Sequence, residues 1–235
     1  GVQTAPLALS TLRVLDLTHA IAGPYCAKLL ADLGADVVKV ERPGVGDMAR
    51  RFGPFPGDRP DPERSGLFLY LNTNKKSVAL DLKSAEGRAR ALRLAAQADM
   101  VVESFAPGVL ARLGLSYNAL RAVNPAVVLV SISNFGQTGP YRDYRATELV
   151  LEAIGGLVAV SGAPDREPLK LGLGQGQFLA GSVAAASALG AFYAQQRSGV
   201  GQHVDVAISE CVATVVRQQI VEYTYMGMVG WRHPG

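Results

Sequence analysis

Cysteine, charge and long apolar runs are all scarce in this sequence, and each shortage excludes a class of protein. The 235 residues include only two cysteines, Cys26 and Cys211, so a disulfide framework cannot be what holds the fold together. Both lie in apolar helical patterns, which predicts two buried free thiols in a reducing compartment. Charged residues make up 18% and the net charge is +3, which is too small and too scattered to favour a nucleic-acid partner.

The sequence shows neither the pattern of a signal peptide nor that of a typical membrane span. The first ten residues, GVQTAPLALS, lack a basic start and an apolar run. The longest uncharged stretch, 171–196, is rich in Ala, Gly, Ser and Gln, whereas a membrane helix would be mostly Leu, Ile, Val and Phe. We therefore expect a cytoplasmic protein without a membrane partner, in which this stretch forms a tightly packed interior helix.

The motifs of several enzyme classes are missing as well. There is no P-loop, nucleophile elbow or Cys-His signature. The histidines and cysteines do not have the spacing of zinc ligands, so we expect no metal site. The turn after the first predicted strand reads THAIAGP instead of G-x-G-x-x-G, which argues against a Rossmann dehydrogenase. Glu41, at the end of the second strand, is accordingly interpreted as a solvated strand end and not as a ribose ligand.

What the sequence does have is an alternation of strand and helix patterns. Apolar residues make up 49% of the chain, enough for a sizeable core. Strands are predicted at 12–17, 36–41, 77–82, 100–103, 126–133 and 203–206. Helices are predicted at 23–33, 85–98, 108–113, 117–123, 147–153, 177–196 and 209–225. Nearly continuous apolar strands indicate an α/β fold, a Rossmann-like, doubly wound and mostly parallel sheet with helices on both faces.

Polar residues at the ends of these strands are the candidates for a site. His19 follows the first strand, where open α/β sheets bind ligands. Asp16 is expected to be structural and buried beside that turn. Five basic residues near strand ends could together hold phosphates, because guanidinium groups match phosphate geometry. They are Arg42, Lys75, Lys76, Arg112 and Arg145.

Several long segments resemble the family III CoA-transferases, the group that includes formyl-CoA transferase, carnitine CoA-transferase and α-methylacyl-CoA racemase. The resemblance begins with LDLTHAIAGPYCAKLLADLGADVVKVERPGVGDMAR and continues through LNTNKKSVALDLKSAEG, ADMVVESFAPGVLARLGLSY and NPAVVLVSISNFGQTGPY. It ends with RSGVGQHVDVAISECV. These segments occur in order and at matching spacing over nearly the whole chain.

The resemblance implies a CoA-binding α/β domain that interlocks with a second chain, with the active site between domains. It implies acyl-CoA and a small carboxylic acid as substrates. It also implies which residues contact CoA: His19, Ala20, Ile21, Ala22, Arg42, Leu80, Ser104, Phe105, Arg112, Leu113 and Arg145. Family members often have Asn where Ser104 stands, so that hydrogen bond is expected to differ here.

The chain departs from the family pattern at the residue that performs the chemistry. Transferases of the family have a catalytic Asp just before the small-residue helix, and the matching residue here is Gln177. A primary amide cannot attack the thioester to form an anhydride, but it can donate a hydrogen bond to a carbonyl, an oxyanion or a carboxylate. The racemases carry a Gly-His-Asp triplet where this chain has Ala146-Thr147-Glu148, so proton exchange by that pair is not expected.

A second departure is length, because family chains continue into a smaller domain. We assign 1–208 to the CoA-binding domain and 209–235 to a helix and tail that lead toward the second domain, which this chain lacks. The chain is then either a fragment or one part of a two-part enzyme. The apolar residues Met226, Met228, Val229 and Trp231 have nothing local to bury them, which predicts a homodimer or a heterodimer with a longer relative.

The leading hypothesis is therefore an enzyme that moves CoA between an acyl-CoA and a carboxylic acid. Without the Asp, a bound carboxylate would attack the thioester directly, with Gln177 orienting it. Glu148 is the nearest spare carboxylate and Asp143 a weaker candidate, although a structural role for Glu148 is the commoner case. The alternatives are a non-catalytic CoA-binding subunit of a heteromeric transferase, an acyl-CoA lyase or isomerase on the same fold, and an engineered inactive variant.

Overall fold

A computed structural model describes residues 6–230 and 232, and it has one six-stranded parallel sheet. The strands are β1 (Arg13–Asp16), β2 (Asp36–Glu41), β3 (Lys75–Ala79), β4 (Met100–Glu103), β5 (Val128–Ser133) and β6 (His203–Ala207). Their order is β3-β2-β1-β4-β5-β6, and every neighbouring pair is parallel. The order reverses between β1 and β4, which creates the crevice where doubly wound sheets bind ligands.

Helices cover both faces of the sheet, so the predicted fold class is confirmed. They are α1 (Ala22–Asp32), α2 (Gly66–Leu71), α3 (Ala85–Ala95), α4 (Val109–Arg112), α5 (Tyr117–Val123), α6 (Glu148–Ile154), α7 (Gln175–Ser198), α8 (Ile208–Ala213) and α9 (Arg217–Met226). Successive residues of β5 point to opposite faces: Val128 and Val130 pack with α1 and α7, whereas Leu129 packs with α3 and α5. Burial on both faces explains the nearly continuous apolar strands.

Small residues let α7 pack closely against α1. A Cβ on Gly181 would lie 2.6 Å from the carbonyl oxygen of Ala22, so only glycine permits this approach. Ala180, Ala184 and Ala188 continue the buried face. The opposite face is exposed, so the prediction of an interior helix holds for one side of α7 only. Within the described residues, α7 is also the one helix whose length and composition would suffice for a membrane span, a test that core helices also pass.

Some predicted bounds differ from the structure. No helix is predicted between residues 33 and 85, but the structure has α2 there, capped by Ser65 Oγ, which accepts from the amide of Phe68. The predicted last helix is interrupted by a 3₁₀ turn between α8 and α9. No residue of α9 is buried; its last residue, Met226, is 62% exposed, and Val229 beyond the helix is 77% exposed. Trp231 lies outside the described residues.

Both thiols are free and buried, as predicted. Burial raises the pKa of the Cys26 thiol to about 12 and that of Cys211 to about 11. Neither thiol is therefore a thiolate at neutral pH, and both act as small apolar residues of the core.

Candidate active site

The turn that follows β1 lies at the switch point of the sheet. We call residues 18–20 the β1 turn. The amide of His19 donates to Ser104 Oγ at 3.1 Å, and the amide of Ala20 donates to Asp47 Oδ1 at 3.0 Å. Ala20 has a left-handed φ of +68°, which a residue with a Cβ keeps only when its surroundings impose it. The backbone of the β1 turn is thus fixed by the segments that follow β2 and β4.

A buried ionic cluster of Asp16, Lys39 and Lys75 lies next to the β1 turn and stabilises it. Lys75 Nζ donates to Asp16 Oδ2 at 2.9 Å, and Lys39 Nζ donates to the carbonyl of Thr18 at 2.8 Å. Burial by itself would raise the pKa of Asp16, but the ammonium groups of Lys39 and Lys75 hold it below its ordinary value. Asp16 is structural, as predicted. The prediction of Lys75 as a phosphate ligand is wrong, because its side chain is 2% exposed and also bonds Pro24 and Asn72.

A cavity of about 640 Å³ opens beside the β1 turn, at the carboxyl ends of β1 and β2. Five of the residues that the family resemblance assigned to CoA line it: His19, Arg42, Leu80, Phe105 and Leu113. Arg51 and Lys83 also line it. Its lining combines apolar side chains with three cations and with the carboxylates of Glu41, Asp47 and Asp81. Glu41 pairs with Arg50 and Asp47 with Lys39, neither of which is among the three cations. Cations and apolar side chains together suit a ligand carrying both phosphates and an apolar arm.

Glu41 shapes the wall of this larger cavity. Its carboxylate accepts from Arg50 Nε at 2.7 Å and from Ser77 Oγ at 2.8 Å, and its Oε2 accepts from the amide of Asp47. Burial would raise the pKa of Glu41, but the hydrogen bonds from Arg50 and Ser77 lower it to about 2. The interpretation of Glu41 as a solvated strand end is thus wrong. It is 7% exposed and anchors residues 42–51, which we call the β2 loop.

A second, smaller cavity of about 210 Å³ lies on the other side of the β1 turn. Six predicted site residues line it: His19, Ala20, Ala22, Ser104, Glu148 and Gln177. His19 is the only one of them that lines both cavities, and its ring centroid is 5.9 Å from that of Phe105. Burial lowers the pKa of His19, so its imidazole is neutral at pH 7. A neutral, partly exposed imidazole thus lies at the junction of the two cavities.

Gln177 and Glu148 face each other in the smaller cavity. Gln177 lies in the first turn of α7, and Glu148 begins α6. Glu148 Oε1 accepts from the amide of Gly176 at 2.6 Å, and Glu148 Oε2 accepts from Gln177 Nε2 at 3.2 Å. Glu148 thereby satisfies a free amide of the helix N-terminus and fixes the orientation of the Gln177 carboxamide. The carboxamide keeps one N–H and its oxygen for further hydrogen bonds.

Five other predicted residues do not line either cavity, and one of them, Lys76, is exposed and pairs with Asp36 at 2.7 Å. Ile21 precedes α1 and packs with Phe68 and Leu71. Arg112 and Arg145 are exposed. Asp143 is also exposed and pairs with Arg142 at 3.2 Å.

Three residues of the site were not singled out in the sequence. Arg51 and Lys83 join Arg42 around the larger cavity, and Asp47 contacts the β1 turn. All three follow β2 or β3, whose carboxyl ends share one edge of the sheet with β1. That shared edge was the available signal, because ligands of doubly wound sheets bind there. Which charged residue of a long loop turns inward depends on tertiary contacts.

Proteins of known activity resemble this chain over most of its length. It is 43% identical to succinyl-CoA–D-citramalate CoA-transferase of Chloroflexus aurantiacus, over 97% of this chain and 56% of the relative. It is 38% identical to succinate–glutarate CoA-transferase of Agrobacterium fabrum, over 96% of this chain and 58% of the relative. The chain thus spans little more than half the length of these relatives.

A solved structure and a family model give the same assignment. A CaiB/BaiF family protein from Brucella suis superposes with a TM-score of 0.90 at 35% identity, over 97% of this chain and 60% of that one. The model of the CoA-transferase family III matches residues 9–235. Together with the switch-point cavities, these matches show that the chain belongs to family III of the CoA-transferases.

Proposed function

We propose that this chain binds an acyl-CoA across the β1 turn and takes part in moving CoA from it to a carboxylic acid. The phosphate-bearing part of CoA lies in the larger cavity and the thioester end reaches the smaller one. The observation that carries this proposal is that His19 lines both cavities. A ligand that spans them must pass this side chain, which brings its reactive end toward Gln177 and Glu148.

The charges around the larger cavity support this orientation. Arg42, Arg51 and Lys83 line it, and guanidinium and ammonium groups are the usual ligands of phosphates. Among the described residues that line the smaller cavity, none is Lys or Arg. The larger cavity, unlike the smaller one, therefore offers cations to the phosphates of an acyl-CoA.

Gln177 sets the kind of chemistry that we propose. Its carboxamide is too weak a nucleophile to form an anhydride with the acyl group. Transfer then proceeds by direct attack of the carboxylate substrate on the thioester carbonyl, which expels CoA as a thiolate and leaves an anhydride of the two acids. The thiolate next attacks the other carbonyl of that anhydride, which forms the new thioester and releases the original acid as a carboxylate. Gln177 donates to the oxyanion of each step.

Glu148 acts in this scheme as a positioning residue. Both of its oxygens accept hydrogen bonds, one from Gly176 and one from Gln177. A carboxylate with both oxygens engaged in hydrogen bonds is a poor nucleophile, but it holds its partners in a fixed orientation. It directs the free N–H of Gln177 toward the space that the thioester carbonyl would occupy.

Calorimetric titration with CoA tests the proposed binding. We expect binding by the unmodified protein and about 10-fold weaker binding by Arg42→Ala, since removal of one charge-assisted phosphate contact costs roughly 1.5 kcal/mol. Arg90→Ala is the matched control, because Arg90 is exposed on α3 and pairs with Glu86. Absence of binding, or equal weakening in both variants, would contradict the proposal.

The carboxamide of Gln177 also favours a second function, that of a non-catalytic CoA-binding subunit. A subunit that binds CoA without chemistry needs an intact CoA site and no nucleophile, and Gln177 fits that description. Gln177→Asp separates the two functions, because the new carboxylate would stand where the family has its nucleophile. Under direct transfer the unmodified protein exchanges acyl groups between acyl-CoA and acids and forms no covalent adduct. A non-catalytic subunit shows no exchange, whereas its Asp variant gains an adduct that hydroxylamine cleaves.

A further inference from the structure

Asp47 connects two parts of the site that are distant in sequence. Its Oδ1 accepts from the amide of Ala20 at 3.0 Å and from the amide of Ala49 at 2.8 Å. Ala20 belongs to the β1 turn, and Ala49 belongs to the β2 loop, which lines the larger cavity. One oxygen of Asp47 therefore connects the β2 loop, which lines the larger cavity, to the β1 turn, which separates the two cavities.

The second oxygen of Asp47 is held by charge. Lys39 Nζ lies 2.7 Å from Asp47 Oδ2, and both side chains are 1% exposed. The same ammonium group donates to the carbonyl of Thr18 at 2.8 Å. The β1 turn is thus held at both ends: Lys39 donates to its first carbonyl, that of Thr18, and Asp47 accepts from its last amide, that of Ala20.

The β1 turn needs this support because its conformation is unfavourable in isolation. Ala20 has a φ of +68°, a region that residues other than glycine occupy only when contacts impose it. Its side chain lines the smaller cavity, and the neighbouring His19 lines both cavities. A relaxed φ at Ala20 would therefore move His19 away from the junction.

We infer that Asp47 is a positioning residue that holds His19 and Ala20 in place, so that CoA bound in the larger cavity is directed into the smaller one. This inference rests on the proposed binding of CoA across the β1 turn. It assigns Lys39 a supporting role, since Lys39 balances the buried carboxylate and fixes its orientation. It also predicts that the position of His19 depends more on the hydrogen bond between Asp47 and the Ala20 amide than on the negative charge of Asp47.

A matched pair of double variants separates that hydrogen bond from the charge. Lys39→Met/Asp47→Asn removes both charges but keeps an oxygen to accept from Ala20, whereas Lys39→Met/Asp47→Ala removes both charges and the acceptor. The readout is the NMR signal of the His19 imidazole with and without CoA, beside calorimetry. We expect the Asn form to keep the response of His19 to CoA and the Ala form to lose most of it. CoA affinity of the two forms should agree within about threefold.

The outcomes distinguish this inference from the proposed function. If the unmodified protein binds no CoA, both the proposed function and the inference that rests on it are wrong. If CoA binds and the two double variants give the same His19 response, the inference alone is overturned.

A measurement on the unmodified protein keeps the inference testable if the variants do not fold. The Ala20 amide is expected to resist hydrogen exchange, and CoA is expected to slow its exchange further because the ligand stabilises the β2 loop against the β1 turn. Exchange of this amide at the rate of an exposed loop, or exchange that CoA leaves unchanged, would overturn the assignment of Asp47.

Discussion

Two glycines of α7 occupy opposite environments, and alanine at each should have opposite effects on stability. At Gly190 an added Cβ meets nothing within 4 Å. Alanine there should stabilise the protein by about 0.5–1 kcal/mol, because glycine inside a helix costs that much relative to alanine. At Gly181 the added Cβ would lie 2.6 Å from the carbonyl oxygen of Ala22 and 3.0 Å from the ring of Tyr25.

The clash at Gly181 cannot be relieved by a side chain alone, because Ala22 contributes backbone. Overpacking of this kind costs about 1–3 kcal/mol, and the gain in helix propensity offsets about 0.5–1 of it. Gly181→Ala should therefore be less stable than Gly190→Ala by about 1–3 kcal/mol. Chemical denaturation measures this directly, and in a chain of this size Tm shifts by about 2–4 °C per kcal/mol.

The same pair also reports on the site. Gly181 lies one helical turn after Gln177, so displacement of α7 from α1 should move Gln177 in the smaller cavity, and CoA binding should weaken in Gly181→Ala but not in Gly190→Ala. Equal stability of the two variants would refute the close packing of α7 on Ala22. A loss of stability in Gly190→Ala would contradict the open surroundings of Gly190.

Three further predictions concern buried charge and assembly. Burial raises the pKa of Glu103 to about 7 from 4.5, so its protonated form stabilises the fold fully below about pH 4.5. That stability, up to about 3 kcal/mol, is lost as the pH rises through 7. In urea denaturation, the stability of Glu103→Gln should lack this dependence on pH, and an unchanged pH dependence would contradict the prediction. Lys75→Met should cost about 3 kcal/mol, the lower end of the range for a broken buried ion pair, because Asp16 keeps Lys39 at 3.9 Å. Exposed Lys76→Met should stay within about 0.5 kcal/mol in the same assay. Similar losses in the two variants would contradict the role of the buried cluster. The apolar surface of α9 predicts a dimer by light scattering, and a monomer at micromolar concentration would contradict it.

The fold followed from the sequence wherever strands are buried on both faces. The predicted bounds of β2 and β4 coincide with the observed ones, because an acidic residue follows the apolar residues and ends each strand. The edge strand β3 begins two residues and ends three residues before the predicted strand, since its first residues, Lys75 and Lys76, are charged and give no strand pattern. The six-residue α2 was missed because it starts at a glycine directly after a loop rich in proline and glycine.

The family resemblance supplied residues that line the two cavities, but it also supplied Ile21, Arg112 and Arg145, which line neither. His19, Glu148 and Gln177 were named in the sequence, and the structure brings them to one cavity. Glu41 was misinterpreted, because its partner Arg50 approaches only when the β2 loop folds back. A loop of that length has no periodicity, so sequence spacing cannot show which of its charges turn inward.

A structure of the protein with CoA bound tests the central claim most directly. The account predicts the phosphates beside Arg42, Arg51 and Lys83, the pantetheine arm passing His19, and the sulfur within hydrogen-bond reach of the Gln177 carboxamide. A ligand that occupies the larger cavity but turns its sulfur away from the smaller one, or that binds elsewhere on the chain, would contradict it.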